Sequence, residues 1–240
     1  MRDGKTIGVV IPALNEEQAI GRVLADIPAW VDRVVVADNG SSDRTAEIAR
    51  RAGATVVTER EPGYGAACLK GLAELSDADI VVFLDGDYSD HPEEMAGLVA
   101  PIAAGRYDLV LGSRVLGRRE KGALTPQQHF GNWLATSLIR LIWGARFTDL
   151  GPFRAISRVA LDRLAMADRD YGWTVEMQVK AAEQGLRALE VPVRYRRRIG
   201  VSKVSGTLKG SLKAGVKILS VIGRRAARPR RPVARPPAAG

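Results

Sequence analysis

The stretch Ile80-Val81-Val82-Phe83-Leu84-Asp85-Gly86-Asp87 decides how this chain is read. Five consecutive apolar residues, the first three β-branched, end abruptly in two carboxylates one residue apart. A short apolar run bounded by polar residues predicts a buried strand. Carboxylates at the carboxyl end of such a strand lose hydration, and a partner of opposite charge is needed to offset that cost. A divalent cation suits the pair, because Mg²⁺ and Mn²⁺ favour oxygen ligands and bridge one or two carboxylates to a substrate diphosphate.

Working outward, the pattern predicts further strands over 6–11, 33–37, 54–58 and 108–112, with helices over 17–27, 43–52, from the turn at 61–65 to Leu75, and from Pro92 onward. Ser42 or Asp43 is placed to cap the second helix. Strands alternating with helices predict βαβ units and an α/β fold built on a mostly parallel sheet. Ligands of such sheets bind beyond the carboxyl ends of the strands. Asp38, Asp85, Asp87 and the pair Ser113-Arg114 all fall there. The second half is less regular. It predicts helices over 127–144 and 175–184 and a strand over 189–196, placed at a sheet edge by its interior Pro192.

The net charge of +9 is unevenly distributed. Residues 191–240 hold 14 of the 36 basic residues and no acid, while residues 1–190 carry an excess of acid. Such a block calls for a polyanionic partner, whether anionic lipid, a phosphorylated acceptor or nucleic acid. After Gly206, Leu208, Leu212, Val216 and Leu219 form an apolar stripe beside Lys209, Lys213 and Lys217, predicting an amphipathic helix over 207–222. It suits either an anionic membrane surface or docking on the body. Three segments follow: a body over 1–200, the helical extension over 201–223 and an Arg/Pro-rich tail over 224–240, expected to be disordered. The single Cys68 excludes an internal disulfide and a cysteine-based zinc site. No signal peptide or membrane-spanning run is visible. No aromatic-interleaved basic surface or helix-turn-helix pattern supports specific nucleic-acid recognition.

Four motifs occur in order: Val10-Ile11-Pro12-Ala13-Leu14-Asn15-Glu16, Ala37-Asp38-Asn39-Gly40-Ser41-Ser42-Asp43, Gly63-Tyr64-Gly65-Ala66-Ala67 and Asp85-Gly86-Asp87. Together they resemble the family 2 glycosyltransferases of GT-A fold. Gly112-Ser113-Arg114 and Asp149-Leu150-Gly151-Pro152-Phe153-Arg154 narrow the likeness to the dolichyl-phosphate mannose synthase-like branch. The resemblance covers roughly residues 6–220 and implies an inverting hexosyltransferase with a Rossmann-like sheet and a UDP- or GDP-sugar donor. Pro12, Leu14, Asn15, Glu16, Asp38, Gly65 and Gly86 would line the donor site. Asp87 and Asp85 would hold Mg²⁺ or Mn²⁺, with Ser89 standing where the branch often has a longer oxygen ligand. Asn39 and Tyr64 depart from the pattern, which has an acid and a basic residue there. Nucleotidyltransferases share the architecture, but their Gly-rich, Arg-containing N-terminal loop is replaced here by Pro12-Ala13-Leu14-Asn15.

The resemblance implies polyprenyl phosphate as acceptor, at the cytoplasmic face of a membrane with peripheral contact; the alternative is a soluble small-molecule or phosphorylated acceptor. Arg114, Arg154, Arg196, Arg198 and Lys203 are the candidate acceptor or phosphate contacts, since guanidinium binds phosphate bidentately. Arg154 could equally pair with Asp149. Asp149 and Glu176 are the candidate general bases, which a hydroxyl acceptor requires and an ionised phosphate does not. Glu176 is also placed to pair with Lys180 at i+4. His91, before Pro92, reads as a structural residue. Oligomeric state is not legible.

Overall fold

The computed structural model describes residues 2–200 and 208–227. Seven strands form one sheet in the order β3-β2-β1-β4-β6-β5-β7. They are β1 (Ile7–Ala13), β2 (Arg33–Asp38), β3 (Thr55–Thr58), β4 (Ile80–Phe83), β5 (Leu109–Ser113), β6 (Arg154–Ser157) and β7 (Ala188–Pro192). Helices α1 (Ile20–Ala25), α2 (Thr45–Arg51), α3 (Tyr64–Ala73) and α4 (Met95–Ala103) connect the first five strands. A 3₁₀ turn, Pro92–Glu94, precedes α4. The chain continues through α5 (Pro126–Trp143), α6 (Arg158–Leu164), α7 (Trp173–Glu183) and α8 (Leu208–Ala226).

β1 alternates between two apolar layers. Ile7, Val9 and Ile11 pack with residues of α1 and α4, while Val10 packs with Cys68, Leu75 and Trp173 on the opposite face. Burial on both faces explains why the first-half strands read as continuous apolar runs rather than alternating ones. β1 pairs in parallel with β2 on one side and with β4 on the other. The chain winds outward from β1 to β3 and then crosses back to place β4 beside β1. Strand order therefore reverses between β1 and β4, the place where an open α/β sheet leaves a crevice for ligand.

β6 is the element that local pattern did not predict. It runs antiparallel to both β4 and β5 and separates them. Only four residues long, it follows a Gly-Pro turn, so its period is too short to register as a strand. β7 lies at the sheet edge, as Pro192 requires, with Pro192 opposite Ser113.

The predicted amphipathic helix forms as α8, extends to Ala226, and docks on the body. Val221 and Ile222 are buried with Ala135 and Ile139 of α5 and Val175 and Val179 of α7. Lys217 pairs with buried Asp168 at 3.0 Å, and Arg225 pairs with Glu183. Val216 and Leu219 remain exposed. No described helix is long and apolar enough to cross a membrane. The expected disordered tail beyond Ala227 lies outside the described residues, as does Lys203.

The start of α3 rests directly on the α6–α7 connection. Ala66 N–H donates to the Arg169 carbonyl at 2.9 Å, and a Cβ on Gly65 would stand 2.0 Å from the Asp168 carbonyl oxygen. Gly65 is thus a packing residue rather than part of the donor surface. Gly65→Ala is expected to cost about 3 kcal/mol through forced backbone displacement, measured by denaturant unfolding.

Candidate active site

A cavity of about 270 Å³ opens at the β1–β4 crevice. Its floor is the end of β1 with the residues just beyond (Pro12, Ala13, Leu14 and Glu16), joined by Asp85, Gly86 and Asp87 after β4. Pro62, Gly63 and Tyr64, with Asp170 and Tyr171 of the α6–α7 connection packed against them, and Arg198 and Lys213 complete the lining.

Asp87 is buried, and every polar contact it makes orients it. Its Oδ1 accepts from Ser89 Oγ at 2.6 Å and Ser89 N–H at 2.9 Å, and its Oδ2 pairs with Arg198. The segment 196–199 is clipped to this turn by backbone bonds from Arg196 N–H to the Ser89 carbonyl and from Ile199 N–H to the Asp87 carbonyl. Ser89, expected as a metal oxygen, is fully buried and spends its hydroxyl on Asp87. It orients the Asp87 carboxylate rather than presenting a free oxygen to the cavity.

Asp85 sits half-buried with its Oδ1 accepting from the Tyr64 hydroxyl at 3.0 Å. Burial, and then the charge of Asp87, push its carboxyl up to about 6. Asp90, which no sequence motif singles out, adds a third carboxyl. It is buried, accepts from Asp85 N–H at 3.3 Å, and has one oxygen without a partner. Burial followed by repulsion from Asp85 and Asp87 raises its carboxyl well above the usual range. Two neighbouring carboxylates that repel each other, one of them already paired with an arginine, fit a divalent cation, which favours oxygen ligands.

These observations give a testable pH dependence. A raised carboxyl holds its proton below about pH 6, so a cation must displace that proton to bind at Asp85. Mn²⁺ affinity in the presence of a nucleoside diphosphate should be full above pH 6 and fall by up to about tenfold per unit below it, as isothermal calorimetry from pH 5 to 7.5 will show. In cation-free protein the stability effect runs the other way. Between 3.8 and about 6 the native state binds a proton that the unfolded chain lacks, so this group's contribution falls as pH rises through that window.

Several expected donor contacts turn inward. Asn15 adopts a left-handed φ of 54°, receives Ser42 N–H on Oδ1 at 2.7 Å, and donates its own N–H to Ser41 Oγ at 2.9 Å. It braces the β1 and β2 loops against each other and does not line the cavity. Asp38 is likewise buried, accepting from Ser41 N–H at 3.3 Å. Asn39 does reach the cavity, while its amide ties the 59–63 turn through the carbonyls of Glu59 and Glu61 and Gly63 N–H.

The acceptor-side residues are sorted by pairing. Arg114 and Asp149 form a bidentate pair with both contacts at 2.7 Å, and Arg114 N–H adds a third at 2.8 Å. Burial opposes ionisation of Asp149, but the charge and hydrogen bonds of Arg114 outweigh it and hold the carboxyl below its usual range. Asp149 is therefore unsuited to the general-base role expected of it. Glu190 of β7 fixes this loop by accepting the N–H groups of Thr148 and Asp149.

Arg154 is completely buried, and burial lowers its guanidinium to about 10. It donates to the carbonyls of Leu150, Gly151 and Thr174 and to Gln178, which corrects both the expected acceptor contact and the expected pair with Asp149. Glu176 is also spent: it accepts from Ala167 and Asp168 N–H and pairs with Lys180 at 2.8 Å. The i+4 alternative therefore prevails over a catalytic role. Arg196 turns away from the cavity, stacked 3.5 Å from the Tyr88 ring centroid and bonded to the Asp90 carbonyl. His91 bonds Glu93, a structural role. Of the four basic candidates among the described residues, Arg114, Arg154, Arg196 and Arg198, only Arg198 reaches the cavity.

The family model described as Glycosyl transferase family 2 matches residues 8–165, which include all of β1 but Ile7, the Asp85–Asp87 turn after β4 and the Arg114–Asp149 pair. The chain belongs to glycosyltransferase family 2. This family 2 glycosyltransferase is 39% identical over 227 residues to an uncharacterized glycosyltransferase of Mycobacterium tuberculosis, spanning 91% of this chain and 99% of that one. It is 34% identical over 220 residues to a dolichyl-phosphate hexose transferase of Haloferax volcanii, spanning 90% and 93%. Among solved structures, it superimposes on Mycobacterium tuberculosis glucosyl-3-phosphoglycerate synthase in complex with Mn²⁺, UDP-glucose and phosphoglyceric acid. The TM-score is 0.76 at 27% identity, over 94% of this chain and 81% of that one. The GT-A fold with a mostly parallel sheet, expected from the sequence, is thus shared with solved relatives.

Proposed function

We propose that this enzyme transfers a hexose from a nucleoside diphosphate sugar to a phosphorylated acceptor, with the donor diphosphate held over Asp85 and Asp87. The observation that carries the donor reading is the neighbouring carboxylate pair at the β1–β4 crevice, in one cavity with Arg198. Mn²⁺ or Mg²⁺ held by Asp87 and Asp85 would supply Lewis-acid stabilisation to the departing diphosphate. Ser89 and Tyr64 fix the two carboxylates, Arg198 brings a cation to the same wall, and the loop of Pro12, Leu14 and Glu16 shapes the donor's bed.

The acceptor reading is supported by the commitment of both expected bases, Asp149 and Glu176, to structural partners. The solved synthase with phosphoglyceric acid bound beside UDP-glucose and Mn²⁺ favours a small soluble phosphorylated acceptor. Polyprenyl phosphate is the second reading, favoured by the likeness to the dolichyl-phosphate hexose transferase and by Phe130 and Trp133, each 61% exposed on α5. Incubating the pure chain with UDP- and GDP-sugars, Mn²⁺, and either phosphoglycerate-type or polyprenyl-phosphate acceptors separates the two. Transfer confined to soluble phosphomonoesters supports the first reading. Transfer confined to the lipid overturns it in favour of the second, with binding to a membrane surface then expected in flotation assays.

A further inference from the structure

Two lysines of α8, Lys213 and Lys217, are directed to the body of the protein. Lys217 is held by Asp168, and Val221 and Ile222 are packed between α5 and α7, which together set the rotation of the helix. One turn earlier, Lys213 lines the same cavity as Asp85 and Asp87. Its ammonium lies 5.8 Å from the centroid of the Tyr171 ring and pairs with no carboxylate among the described residues. Among the described residues, Lys213 and Arg198 are the cations of the cavity wall, and Arg198 is already paired with Asp87. Tyr64, also in the lining, contributes a hydroxyl to Asp85 and no charge.

Charge balance then assigns Lys213 a task. Glu16, Asp85, Asp87 and Asp170 line the cavity, and a doubly ionised diphosphate adds two more negative charges, against three positive ones from a divalent cation and Arg198. An unbalanced charge in a partly dehydrated cleft is costly. When the bond from the sugar's anomeric carbon to the diphosphate oxygen breaks, its electron pair leaves with the oxygen, and the diphosphate gains another negative charge. A cation aimed there binds the departing group more strongly than the intact donor.

We propose that Lys213 is a donor-phosphate-binding residue, delivered to the cavity by the docked helix α8. This rests on the donor reading above and adds a residue that neither the motifs nor the body of the sheet supplies. An amphipathic helix at the end of the chain thereby becomes part of the donor site.

Calorimetric titration of UDP, GDP and UMP in the presence of Mn²⁺ tests it, using the full chain and the variants Lys213→Met, Lys213→Arg and Arg224→Met. Lys213 is exposed, so its replacement leaves the core intact. The Met variant should bind the preferred diphosphate about tenfold more weakly while changing UMP affinity less than about twofold. Lys213→Arg should recover most of the loss, and Arg224→Met, an exposed change on the same helix, should have no effect. Diphosphate binding by Lys213→Met within about twofold of wild type, or equal losses for UDP and UMP, would overturn the assignment. Failure of the unmodified chain to bind either diphosphate would overturn the donor reading, and this inference with it.

Discussion

Replacing Asp87 with asparagine is expected to lower transfer on the order of a thousandfold, equivalent to about 4 kcal/mol of lost transition-state stabilisation. The substitution keeps the size of the side chain and an oxygen that can accept from Ser89, whose hydroxyl and N–H hold Oδ1 at 2.6 and 2.9 Å. It removes the charge that faces Arg198 and that a divalent cation requires. It also relieves the repulsion that helps raise Asp85. Fold stability should therefore be nearly unchanged while Mn²⁺-dependent nucleotide binding is lost. Calorimetry of UDP with and without Mn²⁺, beside a thermal melt, separates the two effects. A variant with near-normal turnover would remove Asp87 from the site's chemistry.

Asp149→Ala should destabilise the fold by about 3–5 kcal/mol, the cost of leaving a buried charge without its partner. Arg114 is anchored by two 2.7 Å contacts to this carboxylate, and its own backbone N–H donates to the same group. The neighbouring Tyr195 ring, 5.0 Å from the guanidinium carbon, offers only a weak substitute. Pairing the change with Arg114→Leu should recover part of the loss, since no unpaired guanidinium then remains buried. Denaturant unfolding of both single variants and the double variant gives the coupling energy, expected at about 2 kcal/mol or more. Additive losses would mean that the pair is incidental to the loop's stability.

The two outcomes locate different parts of the site. Asp87 lies after a strand whose apolar run is visible in five consecutive residues, and its role follows from where that strand ends. The first three βαβ passes are legible for the same reason, because each strand and helix carries its own local period. β6 carries no such period: its four residues become a strand only because β4 and β5 flank them on either side. Arg114, Arg154 and Glu176 were all visible as charged residues near the cleft, but their partners were not. Arg154 was expected opposite Asp149 or a phosphate and instead bonds backbone carbonyls beneath the turn.

The sequence by itself determined the α/β class, the family, the strand ends that carry Asp85 and Asp87, and the amphipathic character of the last helix. These rest on short-range pattern: apolar period, turn residues and motif order. Only the tertiary structure decided which charges meet. Arg198 reaches Asp87 across 111 positions of sequence, and Lys213 reaches the cavity because α8 is anchored on α5 and α7. Ion pairing depends on separation in space and on how much water is excluded, and neither quantity is written in the neighbours of a residue along the chain.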